Sequence, residues 1–394
     1  VAEPSFHLPK AEDVGRGEVM LGWVRKHGKS LYPVCLSVDD FVSHVAIFGM
    51  TGSGKSTTAG VILSDLVDAE VNVLVLDWAN EYRSLIVKKG GLVFTPGRNV
   101  SSFTLNPLDP SLSDDVTEHI CLVTDIFSDI FRFTPPQSWM FFECLRRLYH
   151  DFKFSGEAPT LSMLVKEVDR APYRSTYDIE TKLAILRRIK PLTEGQAGRA
   201  LDGCSTMDME EVVENIVSIE LGHFKEMEVR KIFVQVLLKL LYDLRTRKRS
   251  KELRHVTIVE EARNVIPAQF TNMPPSIGER MVNELRKYGE GLVIISQFPT
   301  HISQEILKNA GTRIFHAIRS DDDRRIARGA LSLTEEQAAY LHFLKPGEAI
   351  VKVPNVDHSF LIYVEKKNEL PMLSDGELKN LMMEFHDQFA LDVG

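Results

Sequence analysis

Short apolar runs bounded by polar residues alternate along most of the chain with longer stretches in which apolar side chains recur every three or four positions. The runs Val45–Phe48, Val71–Leu76, Leu92–Phe94, Phe103–Leu105, Ile216–Ile219, Val256–Val259, Leu292–Ile295 and Arg313–Ala317 predict buried strands. Thr57–Ala69, Ser276–Tyr288, Asp321–Ala330 and Ser374–Phe389 predict helices, and Glu226–Arg245 an amphipathic one. Ala349–Val353 and Phe360–Tyr363 predict an edge hairpin. Strands alternating with helices imply a mostly parallel sheet covered on both faces, an α/β class.

Between residues 111 and 210 the strand pattern gives way to helical period. Ser113–Asp115 opens a helix reaching Phe131, Pro135 and Pro136 open another toward His150, and Pro159–Val168 and Ile179–Ile189 follow. The expected organisation is an N-terminal arm of a few strands (1–43), a core made of 44–110 and 211–365, a helical insertion at 111–210, and a C-terminal helix within 366–394.

One strand–helix junction carries chemistry. Gly49-Met50-Thr51-Gly52-Ser53-Gly54-Lys55-Ser56 reads G-x-x-x-x-G-K-[ST], with a strand run before it and a helix after it. Glycines at these spacings let main-chain N–H groups close on phosphate oxygens at the N-terminus of a helix. The predicted nucleotide contacts are Gly49, Thr51, Gly52, Ser53, Gly54, Lys55, Ser56 and Thr57. Lys55 supplies a cation to the β- and γ-phosphates, and Ser56 a hydroxyl to Mg²⁺. The expected ligands are therefore ATP and Mg²⁺.

Composition narrows the class without changing it. The 394 residues are 44% hydrophobic and 26% charged, and no apolar run reaches the roughly 18 residues of a membrane span. No secretory signal is visible, so a cytoplasmic setting is expected. The chain starts on Val1, as a processed or excised piece of a longer protein would. Cys35, Cys121, Cys144 and Cys204 are widely spaced and predict buried thiols rather than zinc or disulfides. The formal net charge of −8 excludes a uniformly basic surface but not a local basic patch.

Hydrolysis needs more than a phosphate loop. In open α/β sheets ligands lie at the carboxyl ends of the strands. Glu260 and Glu261 follow Val256–Val259 and are expected there, Glu260 in the magnesium shell, directly or through water, and Glu261 activating water. Ser296 and Gln297 follow the next strand; Gln297 could hold that water, or the pair could be a plain polar strand end. Asp77 and Glu81 could join the shell or merely cap the helix at Tyr82. Arg280, Arg286, Arg313 and Arg319 are candidates for an arginine reaching a γ-phosphate.

These segments, in this order, resemble the HerA–FtsK superfamily on its HerA side. The resemblance is carried by His44–Gly49, Leu76–Tyr82, Leu105–Leu108, Val259–Pro267, Leu285–Leu292, Ile295–Pro299, Thr312-Arg313, and Arg319 with Asp321–Asp323. It implies a RecA-like P-loop core with a helical insertion, a homo-hexameric ring, and ATP-driven translocation of double-stranded DNA. By motif, it points to Arg286 as the arginine given in trans, with Arg319 second. Glu260 departs from the family's usual Asp, and the small barrel that precedes the core in HerA is absent or reduced to residues 1–43. That reduction argues against the nuclease partner that HerA docks, and fits the alternative of a cytoplasmic ATPase domain of a membrane-anchored DNA transfer or import machine, with a membrane channel as partner. A slow nucleotide-dependent assembly switch is the alternative from another class. For gripping DNA, the basic run from Arg245 to Arg254 and the loop Asn264–Gly278, with Gln269, Phe270 and Asn272, are both candidates; the run also reads as a solvated turn.

Overall fold

The computed structural model describes residues 2–152, 158–268, 275–366 and 370–392. Its strands are β1 (Val19–Lys26), β2 (Lys29–Leu36), β3 (Val45–Phe48), β4 (Val73–Asp77), β5 (Leu92–Phe94), β6 (Val217–Glu220), β7 (His255–Val259), β8 (Glu290–Ser296), β9 (Thr312–Phe315), β10 (Glu348–Lys352) and β11 (Phe360–Tyr363). The chain divides into two compact units, one of residues 1–92, 213–218 and 248–373, the other of 93–212, 219–247 and 374–394. The short strands β5 and β6 lie where the chain passes from one unit to the other.

The first unit is built on strands in the order β2-β1-β11-β10-β9-β3-β8-β7-β4. β9, β3, β8, β7 and β4 run parallel, and β10, β11, β1 and β2 add antiparallel pairs. Every residue of β3, β4, β7 and β8 is buried, as expected of parallel strands covered on both faces. The helix Lys55–Asp68 starts after Gly54 and buries Ala59, Ile62, Leu63 and Leu66. It stops at Ala69, followed by Glu70 at φ 62°.

The pair β10–β11 forms, but it is not an edge hairpin. β10 also pairs with β9, and β11 with β1 of the N-terminal segment. The true edge strand, β2, comes from the region read as an arm. Local sequence does not encode such a distant pairing.

The second unit is helical. Asp115 caps Val116–Phe131 by accepting from the Thr117 N–H at 2.7 Å, and Pro135–Phe152, Leu161–Arg170 and Thr176–Ile189 follow. Phe103–Leu105, read as a strand, is none. Its amides donate instead to scattered acceptors on the 200–206 segment, Thr104 N to Thr206 Oγ1 and Leu105 N to Ala200 O, which is not a ladder. The helix Met227–Arg247 is buried on most of its faces rather than amphipathic, and even Lys239, Asp243 and Arg245 are inside. All four cysteines are free, but Cys121 and Cys204 are exposed, on polar parts of their segments, not buried as expected.

Candidate active site

Register brings the predicted motifs to one end of the parallel strands. Leu76 is level with Val259, Phe48 with Ser296, and Phe48 with Phe315. The residues leaving β4, β7, β8, β3 and β9 at that end are therefore Asp77, Glu260, Gln297, Gly49 and His316.

The phosphate loop spans the gap between β3 and its helix. Gly49 has φ 152° and Gly54 φ 115°, and a Cβ on Gly49 would sit 2.6 Å from both the His316 Cβ and Ser53 Oγ. Glycine is needed there on both counts. Ser53 folds the turn by donating its amide (3.2 Å) and its hydroxyl (2.7 Å) to Met50 O. The first helical hydrogen bond is Thr58 N to Gly54 O, so the amides of Lys55, Ser56 and Thr57 precede the ladder and point out of the helix N-terminus. Lys55 Nζ donates to Met50 O at 3.0 Å. Burial draws its pKa down, while Glu261, Glu260 and Glu81 pull it back up.

Glu260 is 6% exposed. Its Oε2 accepts from Trp78 N at 3.1 Å and its Oε1 from the Tyr82 hydroxyl at 3.0 Å. Burial first, then the Asp77 carboxylate, push its pKa up to about 8. Tyr82 and Trp78 were not read as site residues; the signal was the buried-size aromatic pair following β4. Asp77 caps the turn after β4, accepting from the amides of Ala79, Glu81 and Tyr82 at 3.0–3.2 Å.

Glu261 sits in the left-handed region at φ 46°, its carboxylate 3.0 Å from Arg263 Nε. Gln297 is half-buried and follows Ser296, which is 1% exposed. Among the described residues no group of three or more His, Cys, Asp or Glu could hold a metal. A serine hydroxyl and a carboxylate, such as those of Ser56 and Glu260, are oxygen donors of the kind Mg²⁺ accepts when phosphates and water complete its shell.

The arginines separate. Arg313 is committed to the carbonyls of Leu307, Ala330 and Lys308. Arg286 is exposed and lies before the N-terminal end of β8, donating to Asn309 O at 3.3 Å. Arg319 is exposed and follows β9, two residues beyond Ala317, whose carbonyl accepts the Met50 amide of the phosphate loop. The basic run is partly engaged: Arg245 is buried, Arg247 meets Asp114 at 3.1 Å, Arg249 covers the Tyr288 ring, and Arg254 donates to Ser250 Oγ. Gln269, Phe270 and Asn272 lie outside the described residues.

A family described as "Helicase HerA, central domain" matches residues 19–241. The chain is 23% identical over 337 residues to the DNA double-strand break repair helicase HerA of Saccharolobus solfataricus, covering 81% of this chain and 63% of that protein. It is 24% identical over 333 residues to the helicase of the same description from Sulfolobus acidocaldarius, covering 79% and 64%. The chain thus spans less than two thirds of these relatives. Among solved structures, VirB4 of Thermoanaerobacter pseudethanolicus superposes with a TM-score of 0.70 at 19% identity, over 89% of this chain and 96% of that one. The plasmid coupling protein TrwB in complex with ADP and Mg²⁺ gives 0.61 at 11%, over 89% and 93%. At these identities the likeness is one of fold, the RecA-like P-loop architecture. No helix among the described residues is long and apolar enough to cross a membrane.

Proposed function

Because the chain belongs to the HerA central-domain family, we propose that it is an ATPase that moves double-stranded DNA through a homo-hexameric ring, acting in the cytoplasm. The observation that carries the reading is the convergence of the phosphate loop, Glu260, Glu261 and Gln297 at one end of five parallel strands. HerA relatives named as DNA repair helicases support DNA as the substrate.

In this reading the amides of Lys55, Ser56 and Thr57 bind phosphate oxygens, and Lys55 exchanges Met50 O for the β- and γ-phosphates. Mg²⁺, when bound, would neutralise charge on those phosphates, held by Ser56 and, directly or through water, by Glu260. Glu261 takes a proton from the attacking water, and Gln297 orients it. Arg286 lies at the opposite end of the strands from its own phosphate loop, so a neighbouring subunit's site is the one it can serve. Arg319, on the loop's own side, ranks second. Losing an arginine of this type costs about 10³–10⁵ in turnover.

The test is ATP turnover with and without linear duplex DNA, together with electron microscopy of the nucleotide-bound protein on DNA. Stimulation by DNA and a sixfold ring around the duplex are expected. Turnover indifferent to DNA, from a protein that never rings, would overturn the motor and leave a nucleotide switch.

A further inference from the structure

His316 takes no part in the chemistry above, yet it is packed behind the phosphate loop and touches both ends of it. It is fully buried. Its Nδ1 lies 2.9 Å from Glu348 O and its Nε2 lies 2.8 Å from Thr58 Oγ1. A carbonyl only accepts, so Nδ1 carries the proton and bare Nε2 accepts from the Thr58 hydroxyl. The ring is thus a neutral strut between β10 and the first turn of the phosphate-loop helix. Its flanks meet the loop as well: a Cβ on Gly49 would strike His316 Cβ, and one on Gly54 would come within 3.4 Å of His316 Cε1.

The far end of the strut is itself anchored. Glu348 accepts from Lys345 N at 2.8 Å and meets Arg25 Nε of β1 at 3.1 Å. The turn it holds delivers Gly347 N to Ser53 O, a loop carbonyl, at 3.1 Å. The loop is therefore supported at Ser53 by Gly347 and at Thr58 by His316, and both supports converge on Glu348.

We propose that His316 is a positioning residue for nucleotide binding, setting the phosphate loop through its hydrogen bond to Thr58. This rests on the nucleotide reading of the loop. A histidine that only filled the core would affect melting and nothing else. One that positions the amides must alter nucleotide affinity in the folded protein.

The experiment measures the Kd of ADP without metal, by calorimetry at 20 °C below each variant's Tm. Thr58→Val and His316→Asn each delete the bond, the latter keeping a donor for Glu348 O. Each is expected to weaken ADP about fivefold. The double variant is expected to bind no more weakly than either single one, because they remove the same bond. His316→Gln, whose amide reaches the Nε2 position, is expected to recover most of the affinity. Wild-type Kd in both single variants, with only Tm lowered, overturns the proposal. So do additive losses in the double variant. Lys55→Ala is the control: an unchanged Kd there overturns the nucleotide reading itself, separately from the strut. Thr58→Val preserves shape, so the test survives even if no His316 variant folds.

Discussion

Lys55 and Lys239 are both drawn out of water, and burial lowers the pKa of each. Their surroundings differ in kind. In the second unit, Lys239 Nζ sits 2.6 Å from Asp243 Oδ2, 3.0 Å from Ser113 Oγ, and against His119 Nδ1, so three donors meet three acceptors. His119 must then donate from Nε2 to the Tyr149 oxygen at 2.7 Å, and Tyr149 donates on to Leu108 O. The network is closed. In the first unit, Lys55 has one acceptor among the described residues, Met50 O, and feels Glu261, Glu260 and Glu81 without an ion pair to any. A desolvated cation with complete partners specifies packing. One with spare donors, on the first residue of a helix, is suited to an anion.

The two lysines should respond differently to removal. Lys239→Met leaves Asp243 charged and buried, and should cost about 3–5 kcal/mol in urea unfolding. Lys55→Ala should lose turnover by about 10²–10³ through missing phosphate stabilisation. It should move stability by less than about 0.5 kcal/mol. Equal destabilisation in the two variants would erase the distinction. Lys239→Met with Asp243→Leu should recover stability to within about 1 kcal/mol of wild type, since no charge is stranded.

Stability also depends on pH. Burial, then the Lys239 charge, hold His119 down to about 2. Its folded pKa lies below its unfolded value, so the stability it contributes is full above about pH 6.5 and is lost as pH falls from there toward 2. His44 and His316, both drawn down to about 4 by burial, act with the same sign. Between pH 6.5 and 5 the unfolding free energy should fall, His119 adding up to about 1.4 kcal/mol per pH unit. His119→Gln should show a lower starting value and a shallower slope; an unchanged slope would mean His119 is protonated in the fold.

The strand–loop–helix at Gly49–Ser56 and the parallel strands were legible because each is written in adjacent residues, as glycine spacing or as an apolar run. What escaped depends on distance. Nothing near Phe360 announces that its strand pairs with β1, nearly the whole chain away. Phe103–Leu105 has strand composition, but its amides found side-chain and lone carbonyl acceptors instead. Met227–Arg247 carries the polar residues of a solvated face, and only the complete Lys239 network shows why they are inside. At the site, the position of Glu260 and Glu261 at the carboxyl end of β7 could be read from sequence. The clamp on Glu260 by Tyr82, the strut from His316 and the opposed ends occupied by Arg286 and Arg319 all require coordinates.

In the proposed function the carboxylates after β7 act on a nucleotide held by the phosphate loop. Glu261→Gln tests it most directly, with ATP affinity and single-turnover hydrolysis measured on the same preparation. Near wild-type affinity and hydrolysis slowed by about 10²–10⁴ are expected. Wild-type hydrolysis in that variant would contradict it.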